Sequence, residues 1–473
     1  MARILTHYIG GEAVVGSAHF ERHDPYRGGL VCTAPSATAS EVAAAVRAAR
    51  SAAPRVAEMP AYERAAILRR AADLVVERAD EIGEIMAREL GKALVDAKGE
   101  VKRSMDTLSL SGEEAIRIEG AHVPLDGSAM GHGRMAFLMR FPVGVVGAIT
   151  PFNAPFNLAC HKLGPAFAAG NAVIIKPPQQ TPLVVHKLVE LLYDAGVPRD
   201  FIQLVHGGVA TGQALVADPG VDMFTFTGSS RAGAEIRSRA GLRPVTLELG
   251  GTGPTIVCDD ADLDAIAPVL ARNSSRIGGQ SCISVQNIYV PRALAAALGD
   301  KVAAELRKLK LGDPLAHDTD VGTLVDAAAA QRVENWVNEA VANGARLLAG
   351  GHRHGAAYEP TLLMDVKPDM KVVCEEVFGP VASIIAYDSL DEPVNEITNS
   401  RYGLQCGIYT DSTKLALSLV RRLRTGGIII NGTSTWRTDQ LAYGGVKDSG
   451  LGREGPRYAV RDMTEERLVL FNY

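Results

Sequence analysis

The stretch GVVGAITPFNAPFNLACHKLGPAFAAGNAVIIKPP, residues 144–178, contains a strand-like run, a helix-like segment and a second strand-like run. The apolar runs lie at 144–150 and 172–176, at the two ends of the stretch. The segment between them is long enough for a helix that crosses from the end of one strand to the start of the next. This order predicts two parallel strands joined by a helix, the building unit of an α/β sheet.

The same alternation continues towards the C-terminus. Further apolar runs suited to strands occupy 202–206, 223–227 and 245–249, and a second series occupies 255–258, 282–290, 382–387, 404–409 and 427–430. Two series of alternating strands and helices predict two α/β lobes.

The N-terminal region has a different pattern. Residues 6–15 are predicted to form a hairpin around Gly10 and Gly11, and with a strand at 30–34 to build a small outlying sheet. Alanine-rich amphipathic stretches then predict packing helices. These helices are expected at 39–53, 61–90 and 93–118, with breaks at Pro54, Pro60 and Gly91.

The composition is that of an ordinary globular protein. The chain has 473 residues, of which 47% are hydrophobic and 22% charged, enough for two or three domains. Its net charge of -5 and scattered basic residues argue against a nucleic-acid partner. No signal segment or long apolar stretch is present, which predicts a cytoplasmic protein without a membrane partner. The 6 dispersed cysteines have no ligand-like spacing, so neither disulfides nor a metal site is expected.

One cysteine, Cys282, follows a glycine-rich loop in Gly-Gly-Gln-Ser-Cys and precedes an apolar run. A thiol at the mouth of a predicted strand can face a cleft. Its reference pKa of about 8.5 makes it the side chain nearest to a ready nucleophile at neutral pH. The alternative is a buried structural cysteine that packs as a small hydrophobe.

Two polar residues suit such a nucleophile. Glu248 ends a predicted apolar strand and can act as a general base, or it can cap nearby amides. Asn153, between Pro151 and Pro155, is stiff enough to donate to a developing oxyanion, although an asparagine beside proline is also a common turn residue.

A second group of residues suits a dinucleotide. Lys176 lies at the carboxyl end of a predicted strand, where open α/β sheets bind their ligands. Gly228 and Ser229 join a strand to a helix, and can offer backbone and hydroxyl groups to a pyrophosphate.

Seven short motifs occur in one order along the chain. They are Pro-Phe-Asn (151–153), Ile-Lys-Pro (175–177), Phe-Thr-Gly-Ser (226–229), Leu-Glu-Leu-Gly-Gly (247–251), Gly-Gln-Ser-Cys (279–282), Glu-Glu-Val-Phe-Gly-Pro (375–380) and Tyr-Gly-Gly-Val-Lys-Asp-Ser-Gly (443–450). Together they strongly resemble the aldehyde dehydrogenase superfamily over nearly the whole chain. The resemblance implies an α/β fold with two Rossmann-like parallel-sheet lobes, one cofactor-binding and one catalytic, plus a small β-rich oligomerisation element.

The resemblance also implies residue roles. Cys282 is then the nucleophile and Glu248 the general base, while Asn153 and the Cys282 amide hold the oxyanion. Lys176 and Glu376 would hold the two riboses of NAD or NADP, with Phe378 near the nicotinamide. The implied cofactor-binding set is Thr150, Pro151, Phe152, Lys176, Gln179, Gly228, Ser229, Leu249, Gly250, Glu376 and Phe378.

The implied reaction is NAD(P)-dependent oxidation of an aldehyde to a carboxylic acid, through a thiohemiacetal and a thioester on Cys282. Relatives that pass the acyl group to coenzyme A generally lack a base at the position of Glu248, so hydrolysis is expected. Two alternatives stay open: a catalytically silent dehydrogenase fold that serves as a binding protein, and an esterase that uses the same thiol.

The choice of cofactor depends on Gln179. Members strict for NAD commonly carry a glutamate at this position, which pairs with the ribose 2′-hydroxyl. A neutral glutamine removes the charge that would repel a 2′-phosphate, so we expect NADP to be accepted, although glutamine can also bind the ribose of NAD.

The substrate is predicted from residues near the thiol. Ser281 stands where relatives that handle phosphorylated aldehydes often carry arginine, which disfavours such substrates. Arg437 can anchor a carboxylate or hydroxyl, or it can be a structural arginine paired with Asp439. A small polar aldehyde of the lactaldehyde or semialdehyde type is expected, while Trp436 and Tyr443 leave an aromatic aldehyde as the alternative.

By the same resemblance, residues 1–119 and 141–250 are expected to form the NAD(P)-binding domain and 251–454 the catalytic domain. The stretches 120–140 and 455–473 would form the oligomerisation element. A homodimer or homotetramer is the expected assembly.

Overall fold

The computed structural model describes residues 3–473, which form an α/β protein with several β-sheets. The strands are β1 (Arg3–Ile4), β2 (His7–Ile9), β3 (Glu12–Val14), β4 (His19–His23), β5 (Leu30–Pro35), β6 (Ala121–Val123), β7 (Arg134–Pro142), β8 (Val145–Ile149), β9 (Ala172–Lys176), β10 (Ile202–Leu204), β11 (Met223–Thr227), β12 (Val245–Glu248), β13 (Thr255–Val257), β14 (Asn287–Pro291), β15 (Arg346–Ala349), β16 (Arg353–His354), β17 (Ala357–Tyr358), β18 (Thr361–Met364), β19 (Val381–Tyr387), β20 (Gln405–Tyr409), β21 (Gly427–Ile430), β22 (Gly450–Leu451) and β23 (Thr464–Asn472). The helices are α1 (Ala39–Glu58), α2 (Ala61–Glu77), α3 (Ala79–Leu90), α4 (Leu94–Ala115), α5 (Pro155–Ala168), α6 (Pro182–Asp194), α7 (Val209–Ala217), α8 (Ser230–Ala240), α9 (Leu263–Ser275), α10 (Arg292–Leu306), α11 (Ala327–Ala342), α12 (Lys371–Cys374), α13 (Asp391–Asn399), α14 (Thr413–Arg422) and α15 (Pro456–Asp462).

The first lobe is built on an eight-stranded sheet in the order β22-β12-β11-β8-β9-β10-β2-β3. Its centre, from β12 to β10, is parallel, and β8 lies beside β9 with Ile149 opposite Lys176. Every residue of β8 and β9 is buried, since helices cover both faces of the sheet. The strand–helix–strand unit predicted from residues 144–178 is confirmed.

The second lobe is built on a seven-stranded sheet in the order β15-β18-β19-β14-β13-β20-β21. All its pairings are parallel except that of β15 with β18. The strands β15 and β18 were missed by the sequence pattern.

A third sheet of three antiparallel strands has the order β23-β7-β6. β23 pairs with β7 along its whole length, from Thr464 opposite Pro142 to Asn472 opposite Arg134. β6 and β23 lie in the stretches predicted to mediate oligomerisation, and β7 extends two residues past the first of these stretches, to Pro142. The helix α15, just before β23, instead contributes Val460 to the core of the first lobe.

Three local expectations were wrong. The N-terminal hairpin β2–β3 joins the large sheet, because Tyr8 pairs with Leu204 on β10, while the outlying sheet contains β1, β5 and β4. Pro54 lies inside α1, where the fully buried Val56 packs the helix end into the core and offsets the lost hydrogen bond. The stretch 61–90 is two helices, separated at Arg78.

The strand expected at 282–290 begins only at Asn287. Residues before it form a turn in which the Ser284 amide donates to the Ser281 carbonyl at 3.0 Å. Cys282 therefore lies on a loop rather than at a strand end, and this loop faces the carboxyl ends of the first lobe's strands.

Among residues 3–473, no helix combines the length and apolar character needed to cross a membrane.

Candidate active site

A cavity of about 660 Å³ lies between the two lobes, at the carboxyl ends of β8, β9, β11 and β12. The topology explains its position, because ligands of open α/β sheets bind beyond this edge. Apart from Trp436, which is 54% exposed and lies outside the lining, every site residue predicted from the sequence lines it. They are Thr150, Pro151, Phe152, Asn153, Lys176, Gln179, Gly228, Ser229, Glu248, Leu249, Gly250, Ser281, Cys282, Glu376, Phe378, Arg437 and Tyr443.

Cys282 is partly exposed to this cavity and is held by a tightly bent loop. Upstream, Ile277 has a φ of 57° and Gly279 a φ of 70°, which is left-handed backbone. A Cβ on Gly279 would collide with the Gly379 carbonyl oxygen, so a glycine is needed there. Burial raises the pKa of the Cys282 thiol to about 12. A thiol whose pKa is raised in this way needs nearby groups that stabilise its thiolate before it can attack a carbonyl.

Glu248 is the last residue of β12 and is 2% exposed. Neither carboxylate oxygen has a hydrogen-bond partner among the described residues. Burial, followed by the charge of Glu454, raises the pKa of Glu248 well above its ordinary value. An unpartnered buried carboxyl that faces a cavity is costly to stability, and it suits a general base more than the capping group that the sequence left open.

A cluster of five charged side chains includes neighbours of Glu248, since the charges of Glu454, Lys162 and Arg437 all shift its pKa. Glu454 accepts from Lys162 Nζ at 2.5 Å and from Arg437 Nη2 at 2.8 Å. Asp439 accepts from Arg103 Nη2 at 2.8 Å. Arg437 is therefore paired with Glu454, and the pairing with Asp439 considered from the sequence is wrong.

Asp439 has a second partner in His161 Nε2, at 2.9 Å. Burial lowers the pKa of His161, so this ring is neutral near pH 7 and adds no charge. Burial raises the pKa of both carboxyls, but hydrogen bonds from His161 and Arg103 lower the pKa of Asp439, and the charges of Lys162 and Arg437 lower that of Glu454. Three cations thus face two carboxylates, so one positive charge is left unmatched as long as Glu248 keeps its proton.

Asn153 is buried at the start of α5. Its carbonyl accepts from Lys92 Nζ at 3.2 Å, and Lys92 forms a buried ion pair with Glu100. Glu100 also accepts from the amide of Phe156 at 2.9 Å. These contacts fix the backbone around Asn153, whose side chain lines the cavity.

The opposite end of the cavity carries the dinucleotide-type residues. Lys176 Nζ donates to the carbonyls of Pro177 at 2.9 Å and Gly207 at 3.2 Å, which leaves one of its three protons for a ligand. Burial lowers the pKa of Lys176 to about 8. Ser229 caps α8 by accepting from the Ala232 amide, and so places a hydroxyl at a helix N-terminus.

Glu376 and Phe378 come from the second lobe. Glu376 Oε1 accepts from the Gly251 amide at 3.1 Å, and burial raises the pKa of this carboxyl to about 7. A Cβ on Gly250 would lie 2.6 Å from Glu376 Oε2, so this contact requires glycine. Phe378 packs edge-on against Phe152, with ring centroids 5.7 Å apart. A helix N-terminus, a cation, a carboxylate and paired rings along one cavity fit a nicotinamide dinucleotide.

Sequence reasoning missed Arg103, Asn157 and Glu454, which also line the cavity. Arg103 lies on the long helix α4, within a stretch that predicted only a packing helix. Glu454 follows the last recognised motif by four residues (454 − 450), and its carboxylate next to Gly455 was the one available signal.

Comparisons with known proteins agree with this geometry. Residues 14–469 match the model of the aldehyde dehydrogenase family. The chain is 45% identical to 3-sulfolactaldehyde dehydrogenase from Priestia megaterium over 98% of this chain and 97% of that protein. Aldehyde dehydrogenase 21 from Physcomitrella patens, solved with the reaction product succinate, superposes with a TM-score of 0.96 at 36% identity, over 100% of this chain and 98% of that one. NADP-dependent glyceraldehyde-3-phosphate dehydrogenase from Bacillus halodurans C-125, solved with NADP, superposes with a TM-score of 0.96 at 36% identity, over 99% of each chain.

Proposed function

The chain belongs to the aldehyde dehydrogenase family, and from this premise we propose that Cys282, Glu248 and Asn153 catalyse the oxidation of a small anionic aldehyde to its carboxylic acid. The protein is an NAD(P)-dependent aldehyde dehydrogenase. The roles of these three residues, and a negatively charged group on the substrate, are what we propose beyond this activity.

The first step is attack by the Cys282 thiolate on the aldehyde carbon. An S–C bond forms, and the carbonyl oxygen becomes an oxyanion. The Asn153 amide and the Cys282 backbone amide donate to this oxygen. The fixed backbone around Asn153 means that little reorganisation is needed as the charge develops.

Bound NAD or NADP would supply the hydride acceptor, and loss of the hydride from the former aldehyde carbon would leave a thioester on Cys282. Lys176 and Glu376 bind and orient the dinucleotide, one from each lobe. The Phe378 and Phe152 rings form an apolar wall of the same cavity and help to exclude water.

Glu248 then takes a proton from a water molecule as the water oxygen attacks the thioester carbon. The C–S bond breaks, the acid leaves and the Cys282 thiolate is restored. The raised pKa of Glu248 makes it a stronger base than an exposed carboxylate. Because a base is available here, we propose that water rather than coenzyme A takes the acyl group.

The substrate proposal is carried by the unmatched positive charge of the cluster. Besides this charge, both Arg103 and Arg437 have a buried Nε without a partner among residues 3–473. Unsatisfied buried donors of arginine are costly, and a carboxylate or sulfonate satisfies both the donors and the charge. The related 3-sulfolactaldehyde enzyme and the succinate complex both carry acidic groups in their named ligands, which supports this choice.

One substrate series tests the proposal. NAD(P)H production is followed with lactaldehyde, succinic semialdehyde, 3-sulfolactaldehyde, propanal and benzaldehyde, each with NAD and with NADP. We expect the two anionic aldehydes to have the highest kcat/KM, and a preference for benzaldehyde would refute the anionic substrate. Activity retained in Cys282→Ala would refute the thioester mechanism.

We also propose that the protein associates as a homodimer or homotetramer through the β23-β7-β6 sheet. β23 is an edge strand, and its Leu468 and Phe471 are 63% and 44% exposed. An exposed apolar edge strand is a template for pairing with a second chain.

A further inference from the structure

Tyr443 is an aromatic residue in contact with the proposed nucleophile. Its hydroxyl lies 3.2 Å from Cys282 Sγ, and Cys282 is the one hydrogen-bond partner that the described residues give this hydroxyl. The ring is 4% exposed and packs with Ile283 and Leu404 in a small apolar cluster against the thiol. From the sequence, Tyr443 was expected to contact the substrate, and the geometry directs its polar end at the sulfur.

The direction of this hydrogen bond follows from the chemistry of its two partners. Burial and the neighbouring thiol raise the pKa of Tyr443 well above its usual value, so the phenol keeps its proton throughout the neutral range. A thiolate has no proton to donate. Once Cys282 is ionised, the phenol must be the donor and the sulfur the acceptor.

Arg437 contacts the ring of Tyr443. Its guanidinium carbon is 3.7 Å from the centroid of the Tyr443 ring, within the range of a cation–π contact. Glu454 fixes the guanidinium through Nη2 at 2.8 Å. The contact holds the ring in place, and the cation makes the phenol a stronger donor.

The polar and charged groups near the sulfur have opposite effects on the ionisation of Cys282. Glu376 and Glu248 are the carboxyl groups that disfavour a thiolate, through their negative charges when ionised. Tyr443 and Arg437 are the groups that favour it, one by a hydrogen bond and the other by charge. Both come from the segment 437–443, at a single side of the thiol.

We propose that Tyr443 is a positioning residue for the dehydrogenase reaction: its hydroxyl orients Cys282 Sγ and, backed by Arg437, stabilises the thiolate that attacks the aldehyde. This inference rests on the proposed role of Cys282 as the nucleophile. The same segment then serves two purposes, since Arg437 also contacts the anionic tail of the substrate. Binding and activation of the nucleophile are thereby linked through one arginine.

The test measures the thiol itself, without aldehyde or cofactor. Iodoacetamide alkylates a thiolate: the S–CH₂ bond forms, iodide leaves, and the thiol proton passes to the buffer. The rate at Cys282 is followed by peptide mass spectrometry between about pH 6 and pH 10, in wild type and in Tyr443→Phe. This substitution removes only the hydroxyl and keeps the ring under Arg437.

A hydrogen bond to a charged group is strong enough that its loss raises the apparent pKa of the thiol by about one unit or more. At a pH below the pKa, a rise of one unit in the pKa lowers the fraction of thiolate about tenfold. A more basic thiolate is also a better nucleophile, and this offsets about half of the loss in rate on a logarithmic scale. We therefore expect alkylation of Tyr443→Phe to be about threefold slower, or more, at every pH.

Tyr387→Phe is the matched control. Tyr387 is a buried tyrosine of the same lobe, whose hydroxyl donates to the Val257 carbonyl at 2.9 Å. It should keep the wild-type alkylation rate. A wild-type rate in Tyr443→Phe, or an equal loss in both variants, would overturn the proposal.

The melting temperature of each variant shows whether it is folded. Should Tyr443→Phe fail to fold, Arg437→Gln replaces it, and slower alkylation supports the proposal while a wild-type rate overturns it. Slow alkylation of Tyr443→Phe together with an active Cys282→Ala enzyme would refute the proposed function alone. Wild-type alkylation of an enzyme that requires Cys282 would refute the role of Tyr443 alone.

Discussion

Arg437→Gln is expected to separate anionic from neutral substrates. The substitution keeps a side chain that can bond to Glu454 and removes the positive charge. Glu454 also keeps Lys162 at 2.5 Å, so no carboxylate is left without a cation. The unmatched positive charge of the cluster becomes zero, while the cavity keeps nearly the same volume.

The size of the effect is set by the contact that is lost. A charge-assisted hydrogen bond contributes about 1.5–3 kcal/mol, which corresponds to a factor of about 10 to 150 in kcat/KM. We expect this loss for succinic semialdehyde and 3-sulfolactaldehyde. Propanal has no group for Arg437 to bind, so its kcat/KM should fall only through weaker activation of the thiol.

The assay compares initial rates of NAD(P)H formation for propanal and the anionic aldehydes over a range of concentrations. Arg272→Gln is the matched control, because Arg272 also pairs with a buried carboxylate, Asp96, but lies outside the cavity. It should leave the ratio between substrates unchanged. Equal losses of kcat/KM for propanal and the anionic aldehydes in Arg437→Gln would show that Arg437 does not bind the substrate.

Four further results are expected. Glu248→Gln should slow steady-state turnover by about 10²–10⁴-fold yet retain an initial burst of NAD(P)H, and its absence would contradict a role limited to hydrolysis. Burial raises the pKa of Glu248, so above about pH 4.3 the folded protein keeps a proton that the unfolded chain releases. The wild type therefore loses up to about 1.4 kcal/mol of stability per pH unit until the pH reaches the folded-state pKa of Glu248. The stability of Glu248→Gln should equal that of the wild type at low pH and exceed it increasingly at higher pH, which thermal unfolding at a series of pH values would show. Gln179→Glu adds a negative charge whose repulsion of a 2′-phosphate is about 1 kcal/mol, so the NADP-to-NAD ratio of kcat/KM should fall about fivefold. An unchanged ratio would refute the role of Gln179 in the choice of cofactor. Leu468→Asp should reduce the molar mass by light scattering, whereas Leu242→Asp, at an exposed position on the first lobe, should not.

The apolar runs of the two sheets were readable from the sequence because buried parallel strands are continuous hydrophobic segments. Residues 172–176 and 223–227 were predicted with the boundaries that the structure has. Strand β15 was missed because it is a half-exposed edge strand, and such strands carry a weaker pattern. Strand β18 is buried, but it has only four residues, Thr361–Met364, and so short an apolar run does not stand out in the sequence. The break at Arg78 was missed because both flanking segments favour a helix.

The catalytic side chains could also be predicted from the sequence, because each lies next to a turn or a strand end that the local sequence pattern indicates. Cys282, Glu248 and Asn153 were identified in this way, and all three line one cavity. Their separations in the sequence say nothing of distance, so the resemblance of the ordered motifs was needed to bring them together.

The sequence by itself determined the fold class and the chemical groups available, because both depend on local periodicity and residue type. Only the tertiary structure decided which charges meet. Arg437 is close to Glu454 and Tyr443 in sequence, but its distance from Lys162 and Arg103 depends on how the two lobes pack. The 3.2 Å contact of Tyr443 with Cys282 joins residues separated by 161 positions. The unmatched charge and the partner of the thiol are properties of that packing, because electrostatic interactions depend on distance in space rather than along the chain.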